Sequence, residues 1–293
     1  MATVAQWVQG ARPRTLPNAV APVLVGTGAA IGAGAVRPGF ALLALLVAVA
    51  MVIGVNYAND YSDGTRGTDD DRVGPLRLVG SGVAAPSTVR TMAFGWLGLA
   101  MLAGVVLVAL SGKWWLLLVG AVCVLGAWFY TGGKHPYGYL GLGEVAVFLF
   151  FGPVAVLGTA YVQSGPPGTL SLIGAIGVGM LSCSVLVANN LRDIESDQEV
   201  GKRTLAVLLG DRGTRRLYAA LVGIPMLLSL VGAIANPWLL LGLIAAPLAY
   251  SPVRRVLNGI RGRDLIAVLG SSGAVMLVWS LGTAVGLALA LLD

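Results

Sequence analysis

Residues 41–55 read ALLALLVAVAMVIGV, fifteen residues without a charge, and residues 56–82 continue NYANDYSDGTRGTDDDRVGPLRLVGSG. The first part, with its flanks, is long enough to cross the hydrocarbon core of a bilayer, which takes roughly 20 apolar residues. The second part sets five aspartates, Asp60, Asp63, Asp69, Asp70 and Asp71, out of thirteen acidic residues in the chain, where the apolar run stops. A membrane helix ending in a carboxylate cluster is costly unless the carboxylates have work to do, so this stretch sets the reading of the rest.

The same balance holds outward in both directions. The 293 residues are 57% hydrophobic and 11% charged, with a mean hydropathy of +0.84, whereas a soluble domain carries about 25% charged residues. The bilayer is the expected solvent, and only helices and closed barrels span it, because every backbone polar group must be paired internally. Long unbroken apolar runs favour helices over alternating barrel strands. Nine spans are expected, at 16–35, 39–59, 88–110, 114–131, 142–162, 169–191, 215–234, 237–252 and 265–291, forming one membrane-embedded domain over 1–293. Cys123 and Cys183 fall inside apolar runs and read as packing residues.

Basic residues divide unevenly between the two faces. With nine spans, seventeen of the nineteen Lys and Arg lie on the amino-terminal side, and only Arg37 and Lys113 on the other. That asymmetry predicts a cytoplasmic amino terminus and an external carboxyl terminus in the plasma membrane. The net charge of +6 then reports topology and anionic lipid or substrate rather than nucleic acid.

A second cluster, NNLRDIESDQEVGKRTLAVLLG at 189–210, ends the sixth span. Asn56 precedes Asp60 by four residues and Asn189 precedes Asp193 by four; Asp63 and Asp197 follow three and four later. Positions three and four apart share a helical face, so each triplet is expected to point one way. The clusters end the second and sixth spans, and an even separation returns both to one face. Facing carboxylates raise each other's pKa or require a cation. Hard oxygen ligands suit Mg²⁺, which keeps water and substrate phosphate in its shell. Arg66, Arg72 and Arg77 follow the first cluster, and Lys202 and Arg203 the second. Carboxylates, a metal ion and basic side chains together make a diphosphate clamp.

These residues resemble the UbiA superfamily of intramembrane aromatic prenyltransferases, in particular its 1,4-dihydroxy-2-naphthoate polyprenyltransferase branch and the actinobacterial members of that branch. The resemblance rests on both clusters, on GARPRTLPNAVAPVLVGT at 10–27, on RLVGSG at 77–82 and on YTGGKHPYGYLGLGE at 130–144. It implies an all-α integral membrane bundle of nine spans around a central cavity, open to the cytoplasm and laterally to lipid. Polyprenyl diphosphate and 1,4-dihydroxy-2-naphthoate are the implied substrates, membrane lipid the surroundings, and demethylmenaquinone the product, with loss of CO₂ and diphosphate. It places Mg²⁺ on Asn56, Asp60, Asp63, Asn189, Asp193 and Asp197, with Asn59 or Asn190 able to share the role of its neighbour.

An allylic diphosphate ionises as its leaving oxygen gains charge. Lys202 and Arg203 are expected to stabilise that charge together with Mg²⁺, and Tyr130 to face the allylic cation, ahead of Tyr57, Tyr61 and Phe148. Arg12 and Arg14 flank Pro13 before the first span and are candidates for an anionic substrate group, as are Arg66, Arg72, Arg77 and Lys134. Glu144, a lone acid entering the fifth span, is expected to pair with Lys134 or with a cavity arginine. Two other classes fit less well. DYSDGTR at 60–66 is similar to the opening of the CDP-alcohol phosphotransferase motif, yet no acid follows between Asp71 and Glu144 to complete it. A transporter would hold its ionisable groups near the membrane midplane, whereas here they sit at span ends.

Overall fold

Among the described residues of the computed structural model, 2–68 and 76–290, every regular element is a helix. In chain order these are α1 (Val4–Gly10), α2 (Pro17–Gly32), α3 (Pro38–Thr65), α4 (Pro86–Ser111) and α5 (Leu116–Phe129). Then come α6 (Gly143–Leu149), a π-helical segment Phe150–Leu157, α7 (Gly158–Ser164), α8 (Thr169–Arg192) and α9 (Ile194–Glu199). The chain closes with α10 (Leu205–Gly232), a 3₁₀ segment Pro237–Ala245 that leads into α11 (Ala246–Leu257), and α12 (Asp264–Leu289). Proline stands in the first turn of α2, α3 and α4, where its missing N–H costs nothing and its fixed φ favours the helix.

Among the described residues seven helices are long and apolar enough to cross a membrane, and eight if α1 to Thr15 and α2, bent by 46°, count as one broken span. The remaining expected span, 114–131, is helical only over the 14 residues of α5, short of the roughly 20 a standard bilayer core needs. Two boundaries also move. Helix α10 begins ten residues before the expected 215, because a short first piece is joined to the span across Gly210, at φ 67° and ψ 176°. The span expected at 237–252 runs to Leu257 and is 3₁₀ over its first half.

Helix α8 lies at the centre. It packs on α6, the π segment, α10 and α12, and α2 packs on α12. Of its apolar window 67% is buried, against 17% for α3. The main core gathers Val25, Val178, Leu181, Tyr218, Met276 and Trp279, among others. Close approach is enforced by glycine: a Cβ at Gly177 would overlap the Trp279 ring, and one at Gly28 the Ala284 backbone. The outer faces carry exposed Leu42, Phe94, Leu102, Leu118 and Leu230, which is how a helix bundle meets lipid.

Candidate functional site

A cavity of about 930 Å³ opens between α2, α3, α4, α5, the π segment and α8. Most of its wall is apolar, from Met51, Val105, Val124, Phe150 and Val154 among others. Its polar lining comes from span ends: Asn56, Asn59 and Asp63 of α3, Asn189 and Asn190 of α8, Arg12, Arg14 and Asn18 near the amino terminus, and Arg77, Tyr130 and Lys202. Among the described lining residues the charged ones are Arg12, Arg14, Arg77 and Lys202 against Asp63. One end of an apolar chamber is therefore built to receive an anion.

The cavity-facing stripe of α3 is Asn56, Asn59 and Asp63, rather than Asn56, Asp60 and Asp63. Asp60 is fully buried behind the wall, where the Leu78 and Val79 backbone N–H groups donate to its two oxygens at 2.8 and 2.9 Å. It braces the segment that delivers Arg77. The Asn56 amide donates to the Ala11 carbonyl and to the Thr15 hydroxyl, both at 2.9 Å, leaving its oxygen as the available ligand atom. Asn59 accepts from the Thr131 hydroxyl at 2.8 Å. Asp63 accepts from the Tyr139 hydroxyl at 2.7 Å and has Arg77 at 3.9 Å.

The second cluster is not one continuous helical face. Helix α8 ends at Arg192, Asp193 has φ −99° and ψ 8°, and α9 starts afresh at Ile194. Arg192 grips Asp193 with two hydrogen bonds of 2.7 and 2.8 Å and reaches the Asn189 amide oxygen at 2.9 Å. Its side chain is 1% exposed. Asp197 pairs with Lys202 at 3.4 Å. Asp193 and Asp197 are buried but outside the cavity lining. Glu144 takes neither Lys134 nor an arginine: the Asn190 amide donates to it at 2.9 Å, and its other oxygen has no hydrogen-bond partner.

Several expected substrate residues lie elsewhere. Arg66 is exposed and donates to the Thr131 and Gly133 carbonyls, tying the end of α3 to the loop that follows α5. Lys134 and Arg203 are exposed and do not line the cavity; Arg203 contributes its backbone N–H, to the Tyr139 carbonyl at 3.1 Å. Arg72 lies outside the described residues. Arg12 lines the cavity in a left-handed conformation, φ 54°, the one such non-glycine residue among those described. Strain of this kind costs about 1–3 kcal/mol and persists where the surroundings over-determine it.

Tyr139 and Arg192 are the two residues that the sequence reading passed over. Tyr139 joins the clusters: its hydroxyl donates to Asp63, while its ring lies 5.1 Å from the Lys202 ammonium and 5.6 Å from the Arg66 guanidinium. Burial, and then the Asp63 carboxylate, hold its phenol well above the usual range, so it stays a donor. A tyrosine in a Gly/Pro loop carries no signal for this. Arg192 was legible as the basic residue inside NNLRD, adjacent to an aspartate.

Among the described residues no three of His, Cys, Asp or Glu converge on a metal position. The donors present are nevertheless of the kind a hard cation uses. Asp63, Asn56 and Asn189 line the same anion-receiving end, and Mg²⁺ is commonly held by one or two carboxylates with water and phosphate completing its shell.

The protein is thus an integral membrane bundle whose cavity suits an amphiphile with an anionic end. The sequence matches the UbiA prenyltransferase family over residues 19–281. It is 59% identical to the 1,4-dihydroxy-2-naphthoate octaprenyltransferase of Mycobacterium tuberculosis across 98% of each chain. It is 39% identical to the Escherichia coli protein of the same name, across 86% of this chain and 85% of that one. The fold is similar to the apo structure of a UbiA homolog from Aeropyrum pernix K1, with a TM-score of 0.71 at 15% identity over 90% of this chain and 96% of that one. It is also similar to a UbiA homolog from Archaeoglobus fulgidus bound to GPP and Mg²⁺, with a TM-score of 0.66 at 13% identity over 95% and 99%. The chain belongs to the UbiA prenyltransferase family.

Proposed function

We propose that this protein transfers a polyprenyl group from polyprenyl diphosphate to 1,4-dihydroxy-2-naphthoate, releasing diphosphate and CO₂ and giving demethylmenaquinol, the hydroquinone form of demethylmenaquinone. The relatives carry that activity in their names at up to 59% identity over nearly the full chain. The observation that carries the reading is the cavity itself: long apolar walls ending in Arg12, Arg14, Arg77 and Lys202 beside Asp63. The prenyl tail lies along the apolar wall. The basic side chains hold the diphosphate and stabilise it as the allylic C–O bond breaks, since they act most strongly where charge develops. Apolar walls keep water from the allylic cation, and Tyr130 offers it an aromatic face. The naphthoate ring attacks, a C–C bond forms at the carbon bearing the carboxylate, and CO₂ leaves with its bonding pair returned to the ring.

Mg²⁺ bound between the clusters would neutralise the diphosphate and assist its departure. Asp63, Asn56 and Asn189 would hold the ion directly, with Asp193 and Asp197 as further carboxylates at the same end of the bundle. Asp60 supports the site through the 78–79 backbone. The active site faces the cytoplasm of the plasma membrane, with the amino terminus on that side, in keeping with the distribution of Lys and Arg.

The test is incubation of the purified protein with Mg²⁺, labelled polyprenyl diphosphate and a panel of aromatic acids, with product masses read out. A decarboxylated prenyl adduct is expected from 1,4-dihydroxy-2-naphthoate and not from 4-hydroxybenzoate. Preference for another acceptor, or a product that keeps its carboxylate, would overturn the assignment.

A further inference from the structure

A second, smaller pocket of about 330 Å³ lies between the α10 residues Asp211, Arg212, Arg215 and Arg216 and the α11 end at Leu257, Asn258 and Gly259. It shares no lining residue with the catalytic cavity. Residues 211–264 hold seven arginines, Arg212, Arg215, Arg216, Arg254, Arg255, Arg261 and Arg263, against Asp211 and Asp264. The acid inside the pocket is already spent. Arg215, 5% exposed, takes both Asp211 oxygens at 2.7 Å and donates to the Val256 carbonyl at 2.6 Å. One buried arginine thus neutralises Asp211 and fixes α10 to α11. The remaining charge of the pocket wall is positive. Arg212 and Arg216 are exposed at its rim, and neither makes an ion pair with a described residue. Arg261 lies close enough to act on Asp211 as well.

The surroundings of the pocket are apolar. Leu257, which lines it, is 50% exposed, and Leu208, Leu209, Leu248 and Tyr250 present further uncovered apolar surface on the same helices. By chain connectivity the site lies at the bundle end that carries the two aspartate clusters, because α8 leads through α9 into α10 and the 237–257 segment returns. A guanidinium fork matches a phosphate, and an apolar lip at the end of a membrane helix matches acyl chains. A soluble phosphate would have no use for the lip.

We infer that this pocket binds the phosphate head group of an anionic membrane phospholipid, held by Arg212 and Arg216 with its chains along Leu257 and α11. The site is separate from the one that binds prenyl diphosphate.

Native mass spectrometry of the full chain, released from detergent containing equal phosphatidylglycerol and phosphatidylcholine, tests this. The wild type should retain phosphatidylglycerol preferentially. Because each basic side chain near an anionic surface contributes roughly fivefold, Arg212→Gln with Arg216→Gln should lower that preference by about 25-fold. Both side chains are exposed, so the variant should melt as the wild type does. A non-reactive prenyl thiolodiphosphate should leave the preference intact, which separates this site from the cavity. Equal retention of both lipids by the wild type would overturn the inference. So would an unaltered preference in the double variant, displacement of the lipid by the thiolodiphosphate, or full displacement by inorganic phosphate, which would make the pocket a soluble-anion site.

Discussion

Two residues control how the polar end is held. Arg192 is buried and makes three hydrogen bonds, two to Asp193 and one to Asn189. Removing one partner of a buried pair leaves the other charge uncompensated, at about 3–5 kcal/mol. Arg192→Gln is therefore expected to lower the thermal midpoint measurably, and Arg192→Lys to restore only part of it, because a point charge cannot make the bidentate contact. The same coupling makes Asp193→Asn a stability variant as well as a ligand variant, so loss of activity there does not by itself identify a metal ligand. Tyr139 acts through its proton. Its phenol is raised by burial and by Asp63, so the neutral donor form persists above the usual tyrosine range of about pH 10. Tyr139→Phe should reduce kcat by weakening the hold on Asp63, while the alkaline limb of the pH–rate profile stays where the wild type has it. An alkaline limb that moves in the variant would show that Tyr139 ionises in the working range.

At the scale of the element, the positions of the helices were legible and their ends less so. The apolar run before Asn56 is helix α3 as expected, because nothing in ALLALLVAVAMVIGV offers the backbone another partner. Asp60 was misassigned to the cavity because positions i, i+4 and i+7 fall within the same broad arc as i, i+3 and i+7, and only the loop at Leu78 and Val79 decides which side chain turns away. The break at Asp193, the π segment and the Gly210 joint are tertiary outcomes that a 3.6-residue period does not encode. Glycine placement was equally silent: Gly177 reads as one small residue among 42 glycines, yet it is where Trp279 inserts. Gly177→Leu should destabilise α8 against α12 and lower folded yield, since overpacking a closed interface costs about 1–3 kcal/mol. A distant glycine with open space around its Cβ position, such as Gly98, is the control and should tolerate alanine.

For the whole molecule, the sequence carried the class through its bulk balance and the site through two spaced motifs. The cavity between them could not be read, because it depends on how α3 and α8 face each other. The proposed orientation is open to direct test. Single cysteines at Arg37 or Lys113 should react with an impermeant thiol reagent applied to intact cells, and cysteines at Arg66 or Lys202 should react only after the cells are opened. The reverse pattern would invert the topology and place the site outside.

The central claim is that the anion-receiving end of the cavity holds prenyl diphosphate through Mg²⁺ and the residues of both clusters. Calorimetric binding of a non-reactive prenyl thiolodiphosphate to the purified protein measures this without turnover. With Mg²⁺ the wild type should bind, and chelation or Asp63→Asn should weaken binding by at least about tenfold, the lower end of losses seen when a metal site is disturbed. Binding of equal strength with and without the divalent ion, and in Asp63→Asn, would contradict the claim.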